Sequence, residues 1–187
     1  MEKVKKSRIS KLRVILGMML SPASVLKSAV AEMPWGFALA VSSAAFCLFF
    51  LQTGLDLYKT GQKEIGFVIL SAAAGAAYGL IFIPFAGVVV WAMLKLARSQ
   101  KELKWVVSSF CLSYSGALVY GITGILFSLA FAWRTSVAFG AAGVLWAAGP
   151  MIVAIRATTD GKNALSIPIA TAVCGVVLLS WSMFGQL

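Results

Sequence analysis

GFVILSAAAGAAYGLIFIPFAGVVVWAML, the stretch from Gly66 to Leu94, runs for 29 residues without one acidic or basic side chain. As a helix, at about 1.5 Å per residue, it is roughly 43 Å long, against a bilayer hydrocarbon core of roughly 30 Å. Cutting it at Pro84 leaves two pieces too short to cross. The expected form is therefore one tilted or kinked helix that projects into the interface, with a re-entrant hairpin as the alternative.

The rest of the chain has the same character. Of 187 residues, 60% are hydrophobic and 12% charged, where soluble domains have roughly 45–50% and 25%. A soluble fold of this size would expose apolar surface it could not bury, and lipid resolves the excess. Four further stretches, 37–55, 114–132, 137–155 and 164–184, are long and apolar enough to span. The fold class is all-α: a polytopic membrane bundle of about five transmembrane helices, 34–187, preceded by a basic arm with interfacial helices, 1–33.

Charge gives the expected orientation. Lys3, Lys5, Lys6, Arg8, Lys11, Arg13 and Lys27 precede the first span; Lys95, Arg98, Lys101 and Lys104 follow the second; Arg156 and Lys162 follow the fourth. These thirteen fall on one side of a five-span chain. Lys59, Lys63 and Arg134 fall on the other. Lys and Arg stay cytoplasmic on insertion, so the N-terminus is expected in the cytoplasm and the C-terminus opposite. Trp35, Trp105, Trp133 and Trp181 lie near span ends, where interfacial anchors belong. The formal charge of +10 flanks apolar runs instead of mixing with aromatics on a surface, which argues against nucleic acid.

The arm has a pattern of its own. Ile9, Leu12, Ile15, Leu16, Met19 and Leu20 share one helical face, the mark of a helix lying among headgroups, and anionic lipid is the partner its lysines and arginines imply. Ser21 and Pro22 read as an N-cap and first residue of a second helix running to about Met33, where Pro34 bends the chain into the first span. The positive start, the short run Val14–Leu20 and the small residues Ser21 and Ala23 imitate a signal peptide. Pro22 and the continuing sequence favour an uncleaved arm.

Chemistry at depth is sparse. Glu2, Glu32, Asp56, Glu64, Glu102 and Asp160 all lie near span boundaries, and the chain has no His. Carboxylate pairs, Ser-His-Asp sets and intramembrane metal ligands are thus missing from the pattern, so neither an enzyme nor a cofactor is expected. Cys47, Cys111 and Cys174 sit in apolar runs and read as packing residues. Ser108, Ser109, Ser113, Tyr114, Ser115 and Tyr120 make the approach to the third span polar. With Pro84 and Pro150 they raise the question of a polar cavity, against the plainer reading that neighbouring groups satisfy them.

Small residues supply the candidate association sites. Gly75 and Gly79 form a GxxxG preceded by Ser71, and Ala117 and Gly121 repeat the spacing on the third span, followed by Gly124 and Ser128. In lipid such residues matter because they let backbones approach. The two readings are packing within the bundle, and docking of a second copy or another membrane protein.

The order of features resembles a known family. Ser21-Pro22-Ala23-Ser24-Val25 leads to Pro34-Trp35 at the first span. A basic loop, Arg98-Ser99-Gln100-Lys101-Glu102-Leu103-Lys104, closes the second, and Phe110 to Gly116 opens the third. Trp146 lies in the fourth, which ends at Ile155-Arg156, and Gly161-Lys162-Asn163-Ala164-Leu165 leads to the last. Over roughly 20–185 this layout is similar to the Yip family, the Ypt/Rab-interacting membrane proteins and their prokaryotic relatives. The resemblance implies five spans, a cytoplasmic N-terminus and no catalytic residues. The short N-terminal extension places the chain beside the prokaryotic members, away from the eukaryotic ones that act with small GTPases in early secretory traffic. The expected function is organisation of the membrane or of partner proteins. The alternative is a small permease, a lipid-translocating protein or the membrane subunit of a transporter.

Overall fold

The computed structural model describes residues 10–96, 98–159 and 163–185. Lys3, Lys5, Lys6 and Arg8 of the arm, with Glu2 and Ile9, lie outside the described residues, as do Asp160, Gly161 and Lys162. All described regular structure is helical: α1 (Lys11–Leu20), α2 (Pro22–Ser28), α3 (Trp35–Lys59), α4 (Ile65–Leu96), α5 (Leu103–Ser113), α6 (Ser115–Phe131), a π-helical turn (Ser136–Ala141), α7 (Ala142–Thr158) and α8 (Asn163–Phe184). Among the described residues five helical segments are long and apolar enough to cross a membrane: α3, α4, α5 with α6, the π turn with α7, and α8. The chain is a polytopic membrane helix bundle. One end carries the arm, the 98–102 connection and the junction of α7 with α8. The other carries the 60–64 and 132–135 turns.

Gly66 to Leu94 lies within a single helix of 32 residues with Pro84 inside it, and the re-entrant alternative does not form. The third span is longer than expected. It begins at Leu103 instead of 114, so the serines placed at its approach lie in its body. Three of them bond to the preceding turn of backbone: Ser109 Oγ donates to Trp105 O at 2.7 Å, Ser113 Oγ to Ser109 O at 2.8 Å and Ser115 Oγ to Leu112 O at 2.7 Å. A hydroxyl bonded to a preceding turn of backbone enters lipid or a bundle core at little cost. The helix breaks once, at Tyr114 (φ −81°, ψ 10°).

The arm also departs from expectation. Ser21 makes no side-chain cap; its backbone N–H closes α1 onto Gly17 O at 2.7 Å, while Pro22 does open α2. The helix ends at Ser28, and Ala29–Met33 form turns. α1 is apolar on two faces. Leu12, Leu16 and Leu20 are exposed, as a lipid-facing stripe should be, but Val14 and Met18 are buried in the same core as the spans.

The centre of the bundle is α3, which packs on α4, α5, α6 and the π turn. Its closest neighbour is α4. Ser42, Phe46, Phe50 and Gly54 recur every fourth residue on α3, and Ser71, Gly75 and Gly79 do so on α4. A Cβ at Gly75 would strike the Phe46 carbonyl oxygen, and one at Gly79 the Ser42 carbonyl oxygen. Only glycine allows this approach, and it is tied down by Ser42 Oγ donating to Gly79 O at 2.8 Å and Ser43 Oγ to Ala76 O at 3.0 Å.

Candidate functional site

The last two turns of α3 concentrate the polar chemistry of the bundle. Gln52 and Asp56 are one turn apart on the face toward α6 and the π turn, and Lys59 follows three residues later. Both Gln52 and Asp56 are buried, with Asp56 8% exposed. Gln52 Nε2 donates to Gly121 O at 2.8 Å.

Asp56 faces the start of the fourth span. Its carboxylate accepts the backbone N–H of Thr135 at 2.9 Å and that of Ser136 at 2.8 Å. These are among the N–H groups that the first turn of a helix leaves unbonded, where the helix dipole favours a negative charge. The cap therefore comes from another span, since Thr135 makes no side-chain cap itself.

Lys59 does the converse for the end of the third span. Its Nζ donates to the carbonyl and hydroxyl of Ser128, both at 2.6 Å, and to Trp133 O at 3.3 Å. A cation belongs at the carboxyl end of a helix for the same reason an anion belongs at the other. Between the two caps α6 stops at Ala132, which adopts the left-handed conformation (φ 56°) usually filled by glycine. One turn of α3 thus clamps both sides of the α6-to-α7 connection with opposite charges.

A second set of bonds ties in α8. Trp181 Nε1 donates to Thr53 Oγ1 at 2.8 Å and its ring stacks on Phe49 with centroids 5.0 Å apart. The Tyr78 and Ser180 hydroxyls share a hydrogen bond of 2.6 Å. Trp181 stands at a span end as expected, but it faces the bundle. Among the described residues three buried side-chain polar atoms have no partner: Gln52 Oε1, Tyr114 OH and Thr135 Oγ1. Among the described residues no three His, Cys, Asp or Glu side chains gather as a metal site would require.

The small-residue candidates do not form one patch. Gly75, Gly79 and Gly121 all face α3, where a Cβ at Gly121 would come within 2.9 Å of Leu48 Cβ. Ala117 faces α7 instead, its Cα 2.7 Å from the position of a Cβ on Gly143. All four pack within the bundle. Of the basic candidates, Lys11 Nζ stands 5.7 Å from the centre of the Phe37 ring and Arg13 borders the cleft between α1 and α2.

A lateral groove of 460 Å³ separates α4 from α8, lined by apolar side chains that include Phe82, Phe85, Val89, Met93, Pro168 and Val173. It lies away from the polar residues of α3. No protein-family model matches the chain, and no curated protein or solved structure matches it.

Gln52 and the partners of Asp56 are the functional residues that sequence patterning did not single out. A glutamine inside an apolar run was the available signal for the first. Nothing near Thr135 and Ser136 announces a carboxylate donated from 79 residues upstream.

Proposed function

We propose that the chain is a non-enzymatic integral membrane protein of the Yip type, close to the short prokaryotic members, that organises the membrane or partner proteins around it. It resides in the bacterial cytoplasmic membrane with its N-terminus in the cytoplasm and its C-terminus opposite. The Yip reading rests on the order of sequence features. The observation that carries the organising role is the use made of polar side chains inside the bundle. Ser42, Ser43, Gln52, Asp56 and Lys59 each bind the backbone of another helix or turn. Groups spent in this way hold helices in place and leave little to solvate a solute or bind a reacting molecule.

Reconstitution distinguishes this from the permease or lipid-translocating alternative. Proteoliposomes of the full chain should move a fluorescent phospholipid between leaflets, and leak small ions, no faster than protein-free vesicles. In native membranes taken up directly into lipid nanodiscs, the chain should run in assemblies of discrete mass larger than one copy. Translocation above the vesicle background, or solitary chains throughout, would replace the organising role. Orientation is read separately: a reporter after Leu187 should be active only when exported.

A further inference from the structure

We infer that α1 and α2 form a hairpin that enters the bilayer from the arm's side, reaches about its middle and returns, so that one leaflet alone surrounds it. The inference needs only that the bundle spans a membrane, and is independent of the Yip reading.

Depth is fixed by three contacts. Tyr114, at the head of α6, meets the Phe46 ring at 4.8 Å, and Phe46 meets Tyr78 at 5.1 Å. Phe46 and Tyr78 stand near the middles of α3 and α4. Gly116, two residues beyond Tyr114, lies against Trp146, near the middle of the fourth span. The head of α6 is therefore at mid-bilayer.

The first residue of α1, Lys11, sits instead over Phe37, the third residue of α3, at the mouth of the first span. From there α1 packs along α5 and onto α6. A helix that starts at the mouth and touches α6 must run inward. Its ten residues cover about 15 Å, half of a roughly 30 Å core. α2 turns back along α7, and the chain regains the mouth at Pro34, with Val30 and Ala31 beside Lys101 and Trp105.

The residues fit that path. No charged side chain occurs from Val14 to Leu26, while Lys11 and Arg13 stand at one foot and Lys27 at the other. Leu12, Leu16 and Leu20 are 64%, 43% and 82% exposed along the outer face. At the tip Ser21 N–H donates to Gly17 O at 2.7 Å, Ser21 O accepts from Ser24 at 3.1 Å, and Pro22 has no N–H to leave unpaired. Gly17 lets the two helices close, since a Cβ there would stand 2.6 Å from Val25 Cγ2. The occupant of the outer face is acyl chain, and the feet meet lipid phosphates.

The test uses the full chain in native membranes opened so that both surfaces are reachable. Ser10→Cys and Lys27→Cys should react with a membrane-impermeant maleimide at least ten times faster than Ser21→Cys or Leu20→Cys. The latter two should stay at the background set by the native chain, whose own thiols lie within spans, until detergent dissolves the membrane. Ser21 and Leu20 are both exposed on the protein surface, so their protection has to come from lipid. A photoreactive residue in place of Leu20 should then yield adducts of phospholipid mass. Rapid labelling of Ser21→Cys, or irradiation that yields no phospholipid adduct, would overturn the hairpin and leave α1 and α2 at the water surface.

Discussion

Two faces of α3 are held by different physics. Toward α4 it presents Ser42, Phe46, Phe50 and Gly54, and the contact is made by bringing backbones together. Toward the turn between α6 and α7 it presents Asp56 and Lys59, and the contact is made by charge placed at helix ends. Lipid offers no hydrophobic drive between helices, so each face needs its own source of attraction. Close packing supplies it where small residues permit, and helix-end electrostatics supply it where the span reaches the interface. The first is insensitive to salt and intolerant of volume. The second is tolerant of volume and sensitive to charge.

The sharpest way to break the seam is Gly79→Leu. A side chain there meets the Ser42 carbonyl oxygen, which cannot swing aside as a side chain can. The cost is expected near 3 kcal/mol, the top of the usual overpacking range, read as a lowered midpoint of unfolding in detergent. The assembly mass should not change, because Gly79 faces α3. Leu80→Ala, at a position 49% exposed, should stay within about 0.5 kcal/mol of the native chain. Equal effects of the two would mean the seam is not a close contact.

The charged face breaks at Asp56. Asp56→Ala strands the N–H groups of Thr135 and Ser136 and should cost about 2 kcal/mol; Asp56→Asn keeps one acceptor and should cost about half as much. If the two variants lose the same stability, the carboxylate is not acting as a cap. Lys59→Met is milder, at about 1 kcal/mol, and its effect should shrink as salt rises, whereas that of Gly79→Leu should not. Smallest and opposite in sign is Ala132→Gly. It relieves the left-handed backbone and should stabilise by about 0.5 kcal/mol, less than the full conformational penalty because glycine also loosens the unfolded chain. A destabilising Ala132→Gly would show that the turn is held by something other than its two caps.

The same contrast explains what was legible in the sequence. Gly75 and Gly79 announce themselves because both lie on one helix at a spacing set by its pitch. The bundle itself is legible for a similar reason: long apolar runs and flanking charges are local properties. The start of the third span was hidden because a count of polar residues cannot know that Ser109, Ser113 and Ser115 spend their hydroxyls on their own helix. The second apolar face of α1, Val14 and Met18, was hidden because it depends on which span the helix meets. The Asp56 clamp was hidden most completely, since acceptor and donors belong to different spans.

That separation has a consequence in time. Asp56 precedes its N–H partners by 79 and 80 residues. Ribosomes add roughly 5–20 residues per second, so about 4–16 s pass between synthesis of the carboxylate and synthesis of the groups that receive it. During that interval α4, α5 and α6 are made for the first span to pack on, while the acid at its far end still lacks the N–H groups that receive it. Its final seating waits for the fourth span to begin, and a chain interrupted before Thr135 carries an uncapped charge that distinguishes it from a finished one.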